Sequence, residues 1–285
     1  AGLDGRARVW DTCTGEAVTP VLDHPFPVWQ ARFNSAGTHL VTACSGDRQP
    51  GQARIWELAT GRLALAPLKQ ALEVMDVAFS PNGRWVATGS GSAEGIGEAR
   101  LWDATSGQPV SPALPHAGAV GLLAFSPDGT RLATAGLDHS ARLWSVPEGR
   151  SLTAALKHAG MVTVMAFSPD GRALLTGGTD QTARLWDAAT GAALLQPIRL
   201  DAQVKDAAFH PQGRLILITC ADGTLSVWDA KEGTLIVPPV KRGNSANLGR
   251  YLPNGQHWVS LGQGGGLCLW RDTPWELPMQ AMPTE

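Results

Sequence analysis

A chain of 285 residues that is 44% hydrophobic has enough apolar material for a large core, yet its formal net charge is only −2, from 23 basic and 25 acidic residues well mixed along its length. No block of like charge offers a footprint for nucleic acid or an anionic membrane, and no apolar stretch approaches the ~18 residues of a membrane-spanning helix. The four cysteines, Cys13, Cys44, Cys220 and Cys268, lack metal-ligand spacing, so small buried residues in a reducing, cytoplasmic setting are expected.

Seven tryptophans, Trp10, Trp56, Trp102, Trp144, Trp186, Trp228 and Trp270, fall at intervals of 46, 46, 42, 42, 42 and 42 residues. A period of this size, closed by Trp and usually Asp, marks four-stranded units that bury their apolar faces only by stacking on their neighbours. Residues 1–22 supply part of one unit: AGLDGRARVWD matches the third strand, with Asp4 in the place where later repeats carry Asp, and Glu16 to Leu22 reads as an outer strand. Residues 23–270 hold the repeats, and 271–285 leave the pattern as an outer strand and tail around Trp275. The expected architecture is all-β, a single β-propeller over 1–285 with antiparallel four-stranded blades, seven in the intact ring, six complete and one partial in this chain. The missing inner strands are expected upstream, and the exposed edges of the partial blade are a candidate self-association site.

The stretch from His158 to Trp186 shows the grammar of one unit. Val162 to Phe167 reads as a buried strand, Ser168 to Gly171 as a turn, Ala173 to Thr176 as a second strand, and Thr182 to Trp186 as a third. In the SPDG turn, Pro fixes φ, Asp bonds the local backbone and Gly accepts a positive φ. The phrase returns as FSPNG at Phe79, FSPDG at Phe125, FHPQG at Phe209 and YLPNG at Tyr251. After each Trp comes a turn such as DAATG at Asp187 to Gly191, then a segment often holding proline, such as Pro109 to Leu114. Proline cannot donate to a ladder, so this segment is expected at the sheet's outer edge.

These residues and their order resemble the WD-repeat family over essentially the whole chain. The resemblance implies a hydrogen-bonded set of His, Ser or Thr, Asp and Trp within the blades. Two repeats carry it in full: His116, Thr134, Asp138 and Trp144, then His158, Thr176, Asp180 and Trp186. A buried Asp, indole N–H and hydroxyl each need a partner, which gives every member a physical task. Elsewhere the set decays. His24 and Thr42 precede Trp56, and Gln70 and Thr88 precede Trp102, both with longer hairpins at Asp47 to Gln52 and Ser92 to Gly97. Asp222 is kept before Trp228 but with Leu200 and Ile218, and Ser260 before Trp270 but with Arg242 and Gly264, so those blades are expected to be less tightly fixed.

No catalytic, cofactor or metal site is expected. His24, His116 and His158 share one place in successive repeats, His39, His139, His210 and His257 read as surface histidines, and GQGGG at Gly262 to Gly266 reads as a hairpin. The resemblance instead implies a non-catalytic scaffold for proteins or peptides, which dock just after and just before the residue, usually Val, that opens each first strand. Those positions are Trp29, Met75, Gly121, Thr163, Lys205 and Asn247, and Pro27, Glu73, Ala119, Met161, Gln203 and Ser245. Pro27, Trp29, Glu73, Met75, Met161 and Lys205 are the candidate partner-binding residues, with Trp29 and Met75 as apolar anchors. The near-identical phrases, with 18 Arg to 5 Lys, are similar to bacterial WD-repeat arrays, often fused to serine/threonine kinases or other signalling domains. A structural or sensory domain of such an enzyme is the alternative reading, and a catalytic propeller a more distant one.

Overall fold

The computed structural model describes residues 1–46, 49–92, 95–241, 246–262, 267–271 and 280–281. Among them every regular element is a strand. The chain divides into two compact units, Ala1–Asp138 with Arg142–Leu152, and His139–Ala141 with Thr153–Glu285.

In the first unit a two-stranded sheet pairs Arg6–Ala7 with Leu22–Asp23. A blade follows, with Val28–Phe33, His39–Cys44 and Gln52–Glu57 in order and two short outer strands, Arg62–Leu63 and Leu68–Lys69, both paired to the third strand. The next blade runs Glu73–Phe79, Trp85–Gly91, Gly97–Asp103 and Leu114–His116. Val120–Phe125 and Arg131–Gly136 then open a third sheet, completed by Ser140–Ser145 and Leu156–Lys157. The second unit holds blades of Val162–Phe167, Ala173–Gly178, Thr182–Asp187 and Ile198–Arg199, then of Val204–Phe209, Leu215–Cys220, Thr224–Asp229 and Leu235–Lys241. Its last sheet orders Ala246–Tyr251, His257–Gly262, Leu267–Arg271 and Gln280–Ala281. All pairings are antiparallel, which a chain linked by tight turns requires.

Alternation along the strands decides where the core lies. Val41, Ala43, Ile55 and Leu68 of one blade close on Val74, Val77, Val86 and Trp102 of the next. In the second unit Val164, Leu175, Leu185 and Ile198 close likewise on Val204, Ala207, Ile216 and Ile218. In both clusters the core is shared by consecutive sheets, as stacked repeats require.

The turns work as their residues dictate. Ser168 Oγ donates to Asp170 Oδ1 at 2.6 Å, the Arg172 amide donates to the same oxygen at 3.0 Å, and Gly171 has φ of 71°. The Asp after Trp organises the other turn: Asp187 Oδ1 accepts from the amides of Ala189 at 3.0 Å and Thr190 at 2.7 Å.

The proline-containing segment lies at the outer edge as expected, often in two pieces: Trp102 bridges Pro109 and pairing resumes at Leu114–His116, and Trp144 bridges Ser151 and pairing resumes at Leu156–Lys157. Two expectations are corrected. Cys13 is exposed rather than buried, since it sits in the turn after Trp10, where its amide donates to Asp11 Oδ1 at 2.8 Å. His210 is buried rather than on the surface. It stands in the Ser position of the turn phrase, where Nδ1 accepts the Gln212 amide at 3.0 Å and Nε2–H donates to the Gly255 carbonyl at 2.8 Å. The tail around Trp275, Arg242, Ser245, Gly264 and the tips of both long hairpins lie outside the described residues.

Gly118 and Gly121 give a paired test of the backbone. A Cβ on Gly118 would lie 2.5 Å from the Asp138 amide nitrogen, whereas one on Gly121 would meet nothing within 4 Å. Gly118→Ala should lower stability in urea melts by about 1 to 3 kcal/mol through overpacking. Gly121→Ala should leave it unchanged or raise it by up to about 1 kcal/mol, because Gly weakens a strand.

Candidate interaction surface

The hydrogen-bonded sets fix the blades on which any surface is displayed. Trp144 Nε1–H donates to Thr134 Oγ1 at 2.8 Å, His116 Nε2 lies 2.7 Å from the same oxygen, and His116 Nδ1 lies 3.2 Å from Asp138 Oδ2. In the next repeat the distances are 2.8 Å for Trp186 to Thr176, 2.7 Å for His158 to Thr176 and 3.0 Å for His158 to Asp180 Oδ2. A carboxylate only accepts, so Nδ1 carries the proton, and the neutral ring then accepts the threonine hydroxyl at Nε2. Each set is one directed relay from indole to hydroxyl to imidazole, with the carboxylate holding the far side of the ring.

Burial pushes both imidazoles below the ordinary histidine value against the pull of Asp138 and Asp180. Burial also works against the charge on Asp180, but hydrogen bonds from His158, the Ala159 amide and Thr182 hold it below the usual carboxylate range. His116 ends an outer strand paired to Gly97–Ala99 and yet bonds Thr134 of the following sheet, so the set also fastens one blade to the next.

The incomplete repeats keep the indole bond and vary the rest. His24 lies 2.8 Å and Trp56 3.0 Å from Thr42 Oγ1, and Gln70 donates to Thr88, which also accepts from Trp102 at 2.9 Å. Trp270 donates to Ser260 at 2.9 Å. Ser226, two residues before Trp228, takes that indole at 2.8 Å in place of the missing second-strand hydroxyl, a substitute the alignment of repeats does not reveal. Leu200 stands where His would be, and a cavity of about 190 Å³ opens beside Leu200, Cys220 and Trp228.

Of the candidate partner-binding residues, Pro27, Trp29, Glu73 and Met75 belong to the first unit, Met161 and Lys205 to the second. Ser45 joins the first group: its amide donates to the Pro27 carbonyl at 3.4 Å, its carbonyl accepts Trp29 Nε1–H at 3.3 Å, and its hydroxyl reaches the Val74 carbonyl, between Glu73 and Met75, at 3.4 Å. Trp29 remains 57% exposed with its polar end held, while Pro27, Glu73 and Met75 are half-buried. Met161 is 41% exposed and Lys205 is exposed. Thr163 spends its hydroxyl on the Val204 carbonyl at 2.6 Å, tying one inner strand to the next.

Two buried carboxylates escape a reading by repeats. Asp76 Oδ2 accepts the Leu123 amide of the neighbouring blade at 2.9 Å and Oδ1 accepts the Val77 amide at 2.9 Å. Burial pushes its acid up to about 6, with Arg32 pulling the other way. Asp206 accepts the Gly249 amide at 3.0 Å and pairs with the Arg250 guanidinium. Their signal is an acid where other first strands carry Leu122, Val164 and Leu248.

Trp186→Ala should lower stability by about 3 to 5 kcal/mol, through lost burial and a broken hydrogen-bond set. Trp228→Ala should cost clearly less, because that indole is only half-buried and leans on a nearby serine. His158→Gln, which copies the natural arrangement at Gln70, should cost about 1 to 3 kcal/mol at neutral pH. A lowered histidine gives its full contribution above the unfolded value of about 6.5 and loses it as pH falls, so the gap between wild type and His158→Gln should narrow towards pH ~5 in urea melts. Asp76 has the opposite sign: its raised acid stabilises at low pH and loses that contribution as pH rises through about 6, where its carboxyl carbon should titrate by NMR.

Four segments, 68–94, 109–145, 150–187 and 198–229, match the family model described as WD domain, G-beta repeat. Among solved structures the chain is similar to the computationally designed Ika8 protein, at 21% identity over 98% of this chain and 81% of that chain, with a TM-score of 0.83, a likeness of fold alone. Among curated proteins none matches. The repeated four-stranded sheets, the Trp-to-hydroxyl bonds and these matches agree, and the chain belongs to the WD-repeat β-propeller family.

Proposed function

We propose that this chain is a non-catalytic scaffold that binds a protein or peptide in a bacterial, cytoplasmic signalling or regulatory assembly. WD repeats point in general to protein interaction. The observation that carries the reading here is Trp29, a large aromatic residue 57% exposed whose N–H is already spent on Ser45. A side chain so held loses little conformational freedom on binding and offers its apolar face, the character of an interface anchor. Met75, on the strand fastened to Ser45, adds adaptable apolar surface, and Glu73 supplies charge for orientation. Met161 and Lys205 hold the equivalent positions in the second unit and extend the same use of first-strand openings.

Trp29→Ala with Met75→Ala should weaken partner binding by about 2 kcal/mol or more, and Lys205→Ala by less, since single rim charges contribute mainly to association rate. Affinity capture from the native cell with folded wild type and folded variant measures this. Undiminished recovery of every partner by the double variant would remove these residues from the binding surface.

A further inference from the structure

The blades at 162–199 and 204–241 leave between them an open groove of about 650 Å³. Leu185, which is buried, and Phe209 give it an apolar base, and Leu194, 48% exposed, adds an apolar side. Three cations line it as well: Arg172, Arg214 and Lys231.

The acids in the same lining are turned towards their own backbone. Asp170 Oδ1 accepts from Ser168 Oγ and the Arg172 amide, and Asp187 Oδ1 accepts from two turn amides and the Thr190 hydroxyl. Two of the cations are only loosely held. Arg214 Nε lies 4.0 Å from Asp229 and Lys231 Nζ 3.9 Å from Glu232, with the basic side chains 81% and 91% exposed, and exposed pairs at such distances contribute little. The groove therefore joins an apolar base to guanidinium and ammonium groups available to an incoming carboxylate.

The first unit supplies an internal comparison. Its equivalent groove, about 440 Å³, is lined by Phe79 where the other has Phe209, but by Asn34, Glu57 and Thr105 among its polar groups, with no Arg or Lys in the lining. Arg84, at the repeat position of Arg214, is stacked 4.4 Å from the centre of the Trp85 ring instead. The fold requires the apolar base and does not require the cations.

We infer that the groove between these two blades is a docking site for an extended acidic segment of a protein partner, carrying one aliphatic or aromatic anchor among Asp or Glu residues. The anchor covers Phe209 and Leu194, and its flanking carboxylates meet Arg172, Arg214 and Lys231, the arginines being suited to two-point contacts. This inference rests on the scaffold reading but uses a surface separate from Trp29 and Met75.

Random short peptides displayed on phage and selected on the full chain provide the test. The expected pool is rich in Asp and Glu around a Leu, Ile or Phe. Peptides resynthesised from it should lose affinity at least about tenfold on an Arg172→Glu, Arg214→Glu, Lys231→Glu variant and on Leu194→Ser, both checked for folding by circular dichroism. Binding should also weaken with added salt. A neutral or basic pool, an empty selection, or acidic peptides indifferent to both variants would overturn the inference. A pool that instead depends on Trp29 and Met75 would overturn the groove and leave the scaffold reading standing, whereas an empty selection together with unaltered partner capture by the Trp29→Ala, Met75→Ala protein would remove both.

Discussion

An indole N–H buried between sheets must find an acceptor, and the rest of each blade is arranged around that requirement. The Trp at the end of the third strand sits opposite an apolar residue of the second, as Trp56 does opposite Leu40 and Trp186 opposite Leu174. A hydroxyl two residues further along the second strand takes the N–H in five blades: Thr42, Thr88, Thr134, Thr176 and Ser260. Trp10 shows what the second strand contributes, because its sheet has two strands and the ring is 55% exposed, against 4% for Trp144. The hydroxyl both satisfies a buried donor and fixes the register of the two strands that carry the core.

The members of the set are consequently not equal. Loss of the acceptor would strand the indole, and where Ile218 removes it the chain provides Ser226 instead. The imidazole is more dispensable. Gln70 keeps the bond to the hydroxyl without any charge, and Leu200 keeps none and leaves a small cavity. A His with Asp adds a tie to the preceding outer strand, and a repeat without them lacks that tie between blades while keeping its indole bond. The Ala117 and Ala159 amides, which donate to Asp138 at 3.1 Å and Asp180 at 3.0 Å, carry that tie into the loops that open the following blade.

Most of the blade architecture is legible in the sequence because period and turn chemistry are local. Val162–Phe167 has the expected bounds, and the second strand runs only two residues further, to Gly178. The two complete hydrogen-bonded sets are legible for the same reason, since their members keep fixed offsets. What stays hidden depends on neighbours distant in the chain. His210 reads as a surface turn residue until the turn at Gly255, 45 residues later, closes over it. Cys13 reads as a small core residue until its turn is seen to face outward. Asp76 carries no signal in the turn chemistry or the hydrogen-bonded set, and the amide of Leu123, 47 residues away, is what its buried carboxylate accepts. For the candidate binding surface, sequence supplies the positions and residue types, while the role of Ser45 in holding Trp29 needs coordinates.

The first strands explain why a repeat can be regular in its frame and irregular in its interior. Each is the edge strand of its sheet and carries backbone groups with no ladder partner on its open side. Packing against the next blade removes those groups from water, so a side chain must satisfy them. Asp76 does so for the Leu123 amide, Asp206 for the Gly249 amide, Thr163 for the Val204 carbonyl and Ser45 for the Val74 carbonyl. Three residue types at three repeat positions solve the same problem, Asp76 and Asp206 sharing one position. The turns after Trp10, Trp102, Trp186 and Trp228 repeat one solution, an Asp that accepts two amides, whereas the inner edges have several and diverge. Residues that open the first strands lie beside those junctions, so variation there changes the exposed surface at Trp29, Met75 or Lys205 without disturbing the Trp-to-hydroxyl bonds on the far side of the sheet.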